Sequence, residues 1–152
     1  MPESWANRIT ICGADGAASW TEFDPVWYAR RYLGGVQHAQ ASLRDYLERG
    51  AQRAHDPNPY FSEGWMRRQR PDLLDADHPT AFAACLAGRS AGGAAHWLFD
   101  VHLFREVAGD LTPERLARDG YVDLYDQFLR LGHLEGRCAT VYFDPIFYLA
   151  QL

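Results

Sequence analysis

Trp27 and Trp65 are each followed closely by a pair of arginines, Arg30-Arg31 and Arg67-Arg68. Flat indole rings stack on the C–H faces of sugars through dispersion and apolar burial. A guanidinium pair grips carboxylate or phosphate in a planar, two-pronged way. Together these residue types read as a surface for a glycan, an anionic one above all, or for a nucleotide-linked sugar. The rings have a second reading as material buried between neighbouring helical units, and recurrence along the chain makes packing the stronger of the two.

Other chemistry-bearing clusters resolve into local structure. Asp75-Ala76-Asp77-His78 gathers two carboxylates and an imidazole, but Pro79 comes next and a helix follows. Asp77 or His78 is therefore read as a helix-start residue, with Pro79 in the first turn, and no metal is expected there. His96 and His102 flank Asp100, which is already needed as a helix cap. The six histidines show no HExxH and no Cys/His spacing suited to zinc. Gly13-Ala14-Asp15-Gly16 lacks the Gly-Lys-Ser/Thr of a phosphate loop and reads as a connector. No nucleophile elbow surrounds Ser19 or Ser42, and no catalytic triad stands out. No catalytic residue, metal or cofactor is assigned, and whether a larger parent protein is an enzyme stays open.

What positions the tryptophans and arginines is a repeat. Phe23, Phe61 and Phe99 are 38 residues apart, and Phe143 follows at 44. Each opens a similar stretch, from Phe23-Asp24-Pro25-Val26-Trp27-Tyr28 to Phe143-Asp144-Pro145-Ile146-Phe147-Tyr148. Gly50, Gly88 and Gly132 each stand 11 residues before the next of these phenylalanines. A fixed period of this size predicts stacked helical units, and such modules mostly bind or space other molecules.

Each hexapeptide carries the signals of a helix entry. Asp24, Ser62, Asp100 and Asp144 are predicted caps, Pro25 and Pro145 first-turn residues, and each Phe a staple against the aromatic or Met five residues on. The first helices are predicted at 24–33, 62–70, 100–108 and from 144 onward. Second helices carry Leu43, Tyr46 and Leu47, then Phe82, Cys85 and Leu86, then Tyr125, Phe128 and Leu129. Gly50 is expected in the left-handed conformation that ends a helix. The six extra residues of the third unit are expected to extend or break its second helix near Gly120. The fold class is thus all-α, antiparallel helix pairs in a stacked array. The boundaries are 1–22 (tail of a preceding unit or extension), 23–60, 61–98, 99–142 and 143–152 (first helix of a truncated unit). Only Arg8–Cys12 alternates like a strand. Beyond Phe143 the chain is expected to present an uncovered apolar surface.

Composition narrows the partners. All 15 basic residues are arginine, and the net charge of −5 argues against a nucleic-acid surface, which needs a basic face. No apolar run approaches the ~20 residues of a membrane span, and no leader pattern opens the chain. Cys12, Cys85 and Cys138 form no CxxC and no even set, so they read as buried thiols of a reducing compartment. A cytoplasmic location is expected.

Phe23–Tyr28, Pro71-Asp72-Leu73, Gly132-His133-Leu134-Glu135-Gly136-Arg137 and Phe143–Leu149 together resemble a family of tandem helical repeats, roughly F-D-P-x-x-Y-L, then P-D-V, then G-x-x-E-G-R-x-P, known from bacterial proteins. Such repeats occur beside glycosyltransferase domains in proteins that build surface polysaccharide, and in some secreted calcium-binding proteins. The resemblance implies a non-catalytic module that spaces or docks a catalytic domain of the same chain or a partner, or binds its glycan acceptor. A stand-alone protein- or glycan-binding repeat protein is the alternative. The first unit departs from the pattern at Gly34-Gly35, and the second lacks Asp-Pro after Phe61, which reads as drift in a packing scaffold.

Overall fold

Side-chain oxygens start most of the helices. In the computed structural model, which describes residues 20–35, 37–89, 95–144, 146–147 and 150–151, Asp24 Oδ1 accepts from the amides of Val26 and Trp27 at 3.1 and 2.9 Å. Asp100 and Asp144 each accept from the amides two and three residues on. Thr80, Thr112 and Asp123 cap three further helices. Each such cap satisfies an amide that the helix itself cannot, a contribution of ~1 kcal/mol.

The chain forms two compact units, Met1–Ala91 and Gly92–Leu152. In the first, helix α1 (Pro25–Tyr32) packs on α2 (Ala39–Asp45). The latter widens into a π-helical turn, Tyr46–Gly50, and tightens again over Ala51–Arg53. Ala54, at φ +61°, ends it. Helix α3 (Glu63–Gln69) and a short 3₁₀ turn (Pro71–Leu73) lead to α4 (Ala81–Leu86). The second unit holds α5 (Val101–Val107), α6 (Pro113–Arg118) and α7 (Leu124–Gln127), which again widens into a π-helical turn, Phe128–Gly132. Among the described residues there is no strand, only an isolated bridge between Thr140 and Phe143. The expected all-α class holds.

A frame of three rings lies within the core of each unit. Phe23–Tyr28, Phe23–Tyr46 and Tyr28–Tyr46 have centroids 5.4, 5.5 and 5.8 Å apart. Phe99–Phe104, Phe99–Phe128 and Phe104–Phe128 stand at 5.2, 5.6 and 5.5 Å. In both frames the last pair is edge-on, the geometry that the ring quadrupole favours. The amide after each leading phenylalanine is also held alike: Asp24 N donates to Pro57 O, and Asp100 N to Ala139 O. Phe61 is equally buried, against Trp20 and Phe82. Phe143 is 52 % exposed, beside exposed Val141, Tyr142, Ile146 and Phe147.

Three local expectations are corrected. Gly50 is right-handed, with φ −62°. Its requirement is space: a Cβ there would lie 2.0 Å from Tyr28 Oη. Gly132 likewise has no positive φ, and a Cβ on it would meet Gln127 Oε1 at 2.9 Å and Phe104 Cζ at 3.3 Å. Pro79 precedes the α4 cap instead of entering the helix, because Thr80 Oγ1 takes the Ala83 amide. Ser62 sits at the cap position of α3 without a side-chain bond. Asp56 Oδ1 accepts the Glu63 amide in its place, at 2.8 Å. The six-residue surplus does break the helix, since Gly120 (φ +78°) separates α6 from α7. The expectations on Arg8–Cys12, Gly13–Gly16, Gly92, Pro145, Tyr148, Leu149 and Leu152 lie outside the described residues.

Candidate functional site

Helix α1 divides by period into two faces. Trp27, Arg30 and Arg31, spaced i, i+3, i+4, share the outward stripe. Trp27 is half-buried and meets Tyr32 edge-on at 5.9 Å, while Arg30 and Arg31 are exposed, with the Arg31 guanidinium 5.9 Å from the Tyr32 ring. Helix α3 differs because its arginine pair comes one residue earlier relative to the tryptophan. Trp65 and Arg68 share a stripe, Trp65 half-buried and Arg68 exposed. Arg67 turns inward, where its Nε donates to Glu63 Oε1 at 2.8 Å and its Nη2 to Pro79 O at 3.0 Å. One residue of register therefore separates a solvated arginine from a structural one.

Glu63 is fully buried and its carboxylate is saturated. Besides Arg67, it accepts from Tyr46 Oη (3.0 Å) and from the amides of Ala81 (2.8 Å) and Phe82 (3.0 Å). It thus joins the π-helical turn, α3 and the start of α4 in one node. Charge-assisted bonds to each lone pair are what make a buried carboxylate tolerable. Glu63 occupies the place that Pro25 holds in the first hexapeptide, so the departure from Asp-Pro sets a buried, fully bonded carboxylate at that position.

The inner face of α1 carries a second polar network. Tyr28 Oη donates to Asp45 Oδ2 at 2.8 Å and lies 3.2 Å from His55 Nδ1. A phenol has one proton to give, so with Asp45 as its acceptor the Tyr28 oxygen receives the His55 Nδ1 hydrogen. Arg49 completes an ion pair with Asp45. The His55 ring stacks on Tyr32, centroids 4.0 Å apart and 4° from parallel, and Tyr32 Oη accepts the Asp56 amide at 3.1 Å.

Burial, helped by the hydrogen bond to Asp45 and its charge, pushes the Tyr28 hydroxyl above the ordinary tyrosine range. It therefore keeps its proton and serves as a donor. Burial lifts Asp45, but the bonds from Tyr28 and Arg49 outweigh it and hold the carboxyl below its usual value. Burial lowers His55, leaving it neutral at neutral pH. Burial raises Asp56 to about 6, against the pull of the Glu63 amide. The donor, relay and acceptor are locked in one order, which suits rigidity.

Among the described residues, the second unit carries other side chains at these places. By the frame's own correspondence, Phe104 stands where Tyr28 does, Gln127 where Asp45 does, and Arg137 where His55 does. Arg137 reaches Asp110 Oδ1 at 2.9 Å and Glu135 Oε2 at 2.8 Å. Comparison with known proteins gives no match. No family model, curated protein or solved structure matches the chain.

Among the described residues, no three His, Cys, Asp or Glu side chains converge as a metal would need. Asp75 Oδ1 caps the Asp77 and His78 amides, and the carboxylate pairs with His78 and Arg89. Cys85 is buried and Cys138 half-buried, and neither is in a disulfide among the described residues. No helix among the described residues is long and apolar enough to cross a membrane. The sequence reading missed Glu63, Asp45, His55 and Asp56. Two of them carried a signal, the i, i+4 pairs Asp45–Arg49 and Glu63–Arg67.

Proposed function

We propose that this chain is a non-catalytic helical-repeat module. Its inward rings hold a frame, and its outward Trp/Arg face presents a binding surface. The carrying observation is the three-ring frame, present at matching distances around Phe23 and around Phe99, with a glycine seated under the Tyr28 or Phe104 ring. That recurrence supports antiparallel helix pairs stacked with the period of the phenylalanines. The saturation of Glu63 and the locked order of His55, Tyr28 and Asp45 support a structural use for the buried charges. The motif resemblance supplies the setting: a bacterial, cytoplasmic glycosyltransferase-type protein in which the module spaces or docks the catalytic domain or holds its glycan acceptor.

The test has two arms. Purified protein incubated with common nucleotide-sugars is expected to release neither nucleotide nor sugar, and turnover would overturn the reading. Tryptophan emission is then followed during titration with uronic-acid oligomers and with neutral glucose oligomers. A change that requires the acidic oligomer and is lost in the Arg30→Ala/Arg31→Ala variant assigns the α1 face to a glycan acceptor. An unchanged spectrum assigns the module to protein docking.

A further inference from the structure

The second unit encloses an open cavity of about 350 Å³ that the six-residue surplus creates. Helix α6 and the turn around Gly120 have no counterpart in the link from α1 to α2, and they stand off from α5 and α7. Phe99, Leu111, Leu116, Val122, Leu124 and Tyr125 supply an apolar lining. The far wall is tethered. Arg115 Nη1 pairs with Asp110 Oδ2 at 2.8 Å, Arg130 Nη1 donates to Gly120 O at 3.0 Å, and buried Asp126 accepts the Val122 amide at 3.0 Å. The Arg130 guanidinium also covers the Tyr121 ring, 4.8 Å from its centroid. Closing the cavity would break these bonds, so the space is preformed and not a packing fault awaiting collapse.

The lining holds two charged side chains. Asp123 is committed to capping α7, where it accepts the Asp126 amide at 2.8 Å. Arg105 is exposed, and among the described residues its guanidinium makes no ion pair or hydrogen bond. An apolar chamber with a free guanidinium on its lining selects a molecule with an apolar body and an anionic end. The volume exceeds twice the ~150 Å³ that accommodates benzene, so the body is larger than a single ring.

We propose that this cavity binds a small amphipathic carboxylate, with its apolar body against Leu116 and Tyr125 and its carboxylate on Arg105. The site is independent of the repeat-module reading, and failure of either leaves the other standing.

The probe is 4-phenylbutyrate, compared with 4-phenylbutylamine and 4-phenylbutanol in calorimetric titration and amide NMR of the full chain. The acid is expected to bind at least tenfold tighter than the amine, with shifts confined to residues 99–125. Arg105→Gln is expected to erase the acid's advantage while leaving the alcohol's affinity unchanged. Ala117→Phe, at an exposed lining position, is expected to block all three ligands. Equal affinity for acid and amine, absence of binding by the acid, or an Ala117→Phe variant that binds normally overturns the proposal.

Discussion

The hydroxyl of Tyr28 lies 2.0 Å from the point that a Cβ on Gly50 would occupy. A helix-entry ring and a glycine 22 residues later thus share one space, and the π-helical turn brings the bare backbone up to it. Gly50 is right-handed, so alanine there would otherwise be worth ~1 kcal/mol through helix propensity. With Tyr28 present, Gly50→Ala is expected to destabilise by about 1–3 kcal/mol through overpacking. Removing the hydroxyl with Tyr28→Phe is expected to relieve part of that loss. A double-mutant cycle by urea denaturation measures it. Additivity within ~0.3 kcal/mol would show that ring and glycine do not compete.

Phe104 supplies the converse test. Among the described residues, Gln127 Oε1 is buried with no hydrogen-bond partner, at the place where Asp45 receives the Tyr28 hydroxyl. Phe104→Tyr is expected to provide the missing donor, because Gly132 leaves room for the oxygen. The expected gain is ~1 kcal/mol, read as a higher unfolding midpoint that disappears in a Gln127→Leu background. A midpoint equal to or below that of the parent protein would remove the correspondence between the two frames.

Glu63→Gln replaces an acceptor of four bonds with a side chain that turns an NH₂ toward amides already donating. The expected loss is about 3 kcal/mol, the scale for breaking a buried charged pair. Arg67→Ala in the Glu63→Gln background is expected to cost less than Arg67→Ala alone. A loss below ~1 kcal/mol for Glu63→Gln would show that the node does not hold the first unit together.

Asp56 makes a pH-dependent contribution. Its folded value, about 6, lies above the ordinary 3.8, so the folded protein keeps this proton to higher pH than the unfolded chain does. Stability therefore falls as pH rises between about 4 and 6, and the full penalty stands above 6. Asp56→Asn keeps an oxygen for the Glu63 amide and removes the charge. It is expected to raise the midpoint at pH 7 and to leave it nearly unchanged at pH 4, by chemical denaturation at both values. A variant that is equally or less stable at pH 7 would refute the burial argument.

Helix starts were legible in the chain because they are local: Asp24, Asp100 and Asp144 act on amides two or three residues away, within reach of any sequence window. The break near Gly120 was legible for the same reason, as was the burial of Phe23, Phe61 and Phe99, which the period implied. What tertiary structure decided were distances between residues far apart in sequence. Gly50 looked like a helix terminator because that is the commonest local use of glycine. Only the folded chain brings Tyr28 onto it. Glu63 looked like a departure from the motif, since its four donors come from Tyr46, Arg67, Ala81 and Phe82. The inward turn of Arg67 follows from one residue of helical phase, visible in the sequence but without meaning until a buried carboxylate faces it. Periodicity and capping are written in spacing, whereas a shared cavity or a saturated carboxylate exists only once the chain has closed on itself.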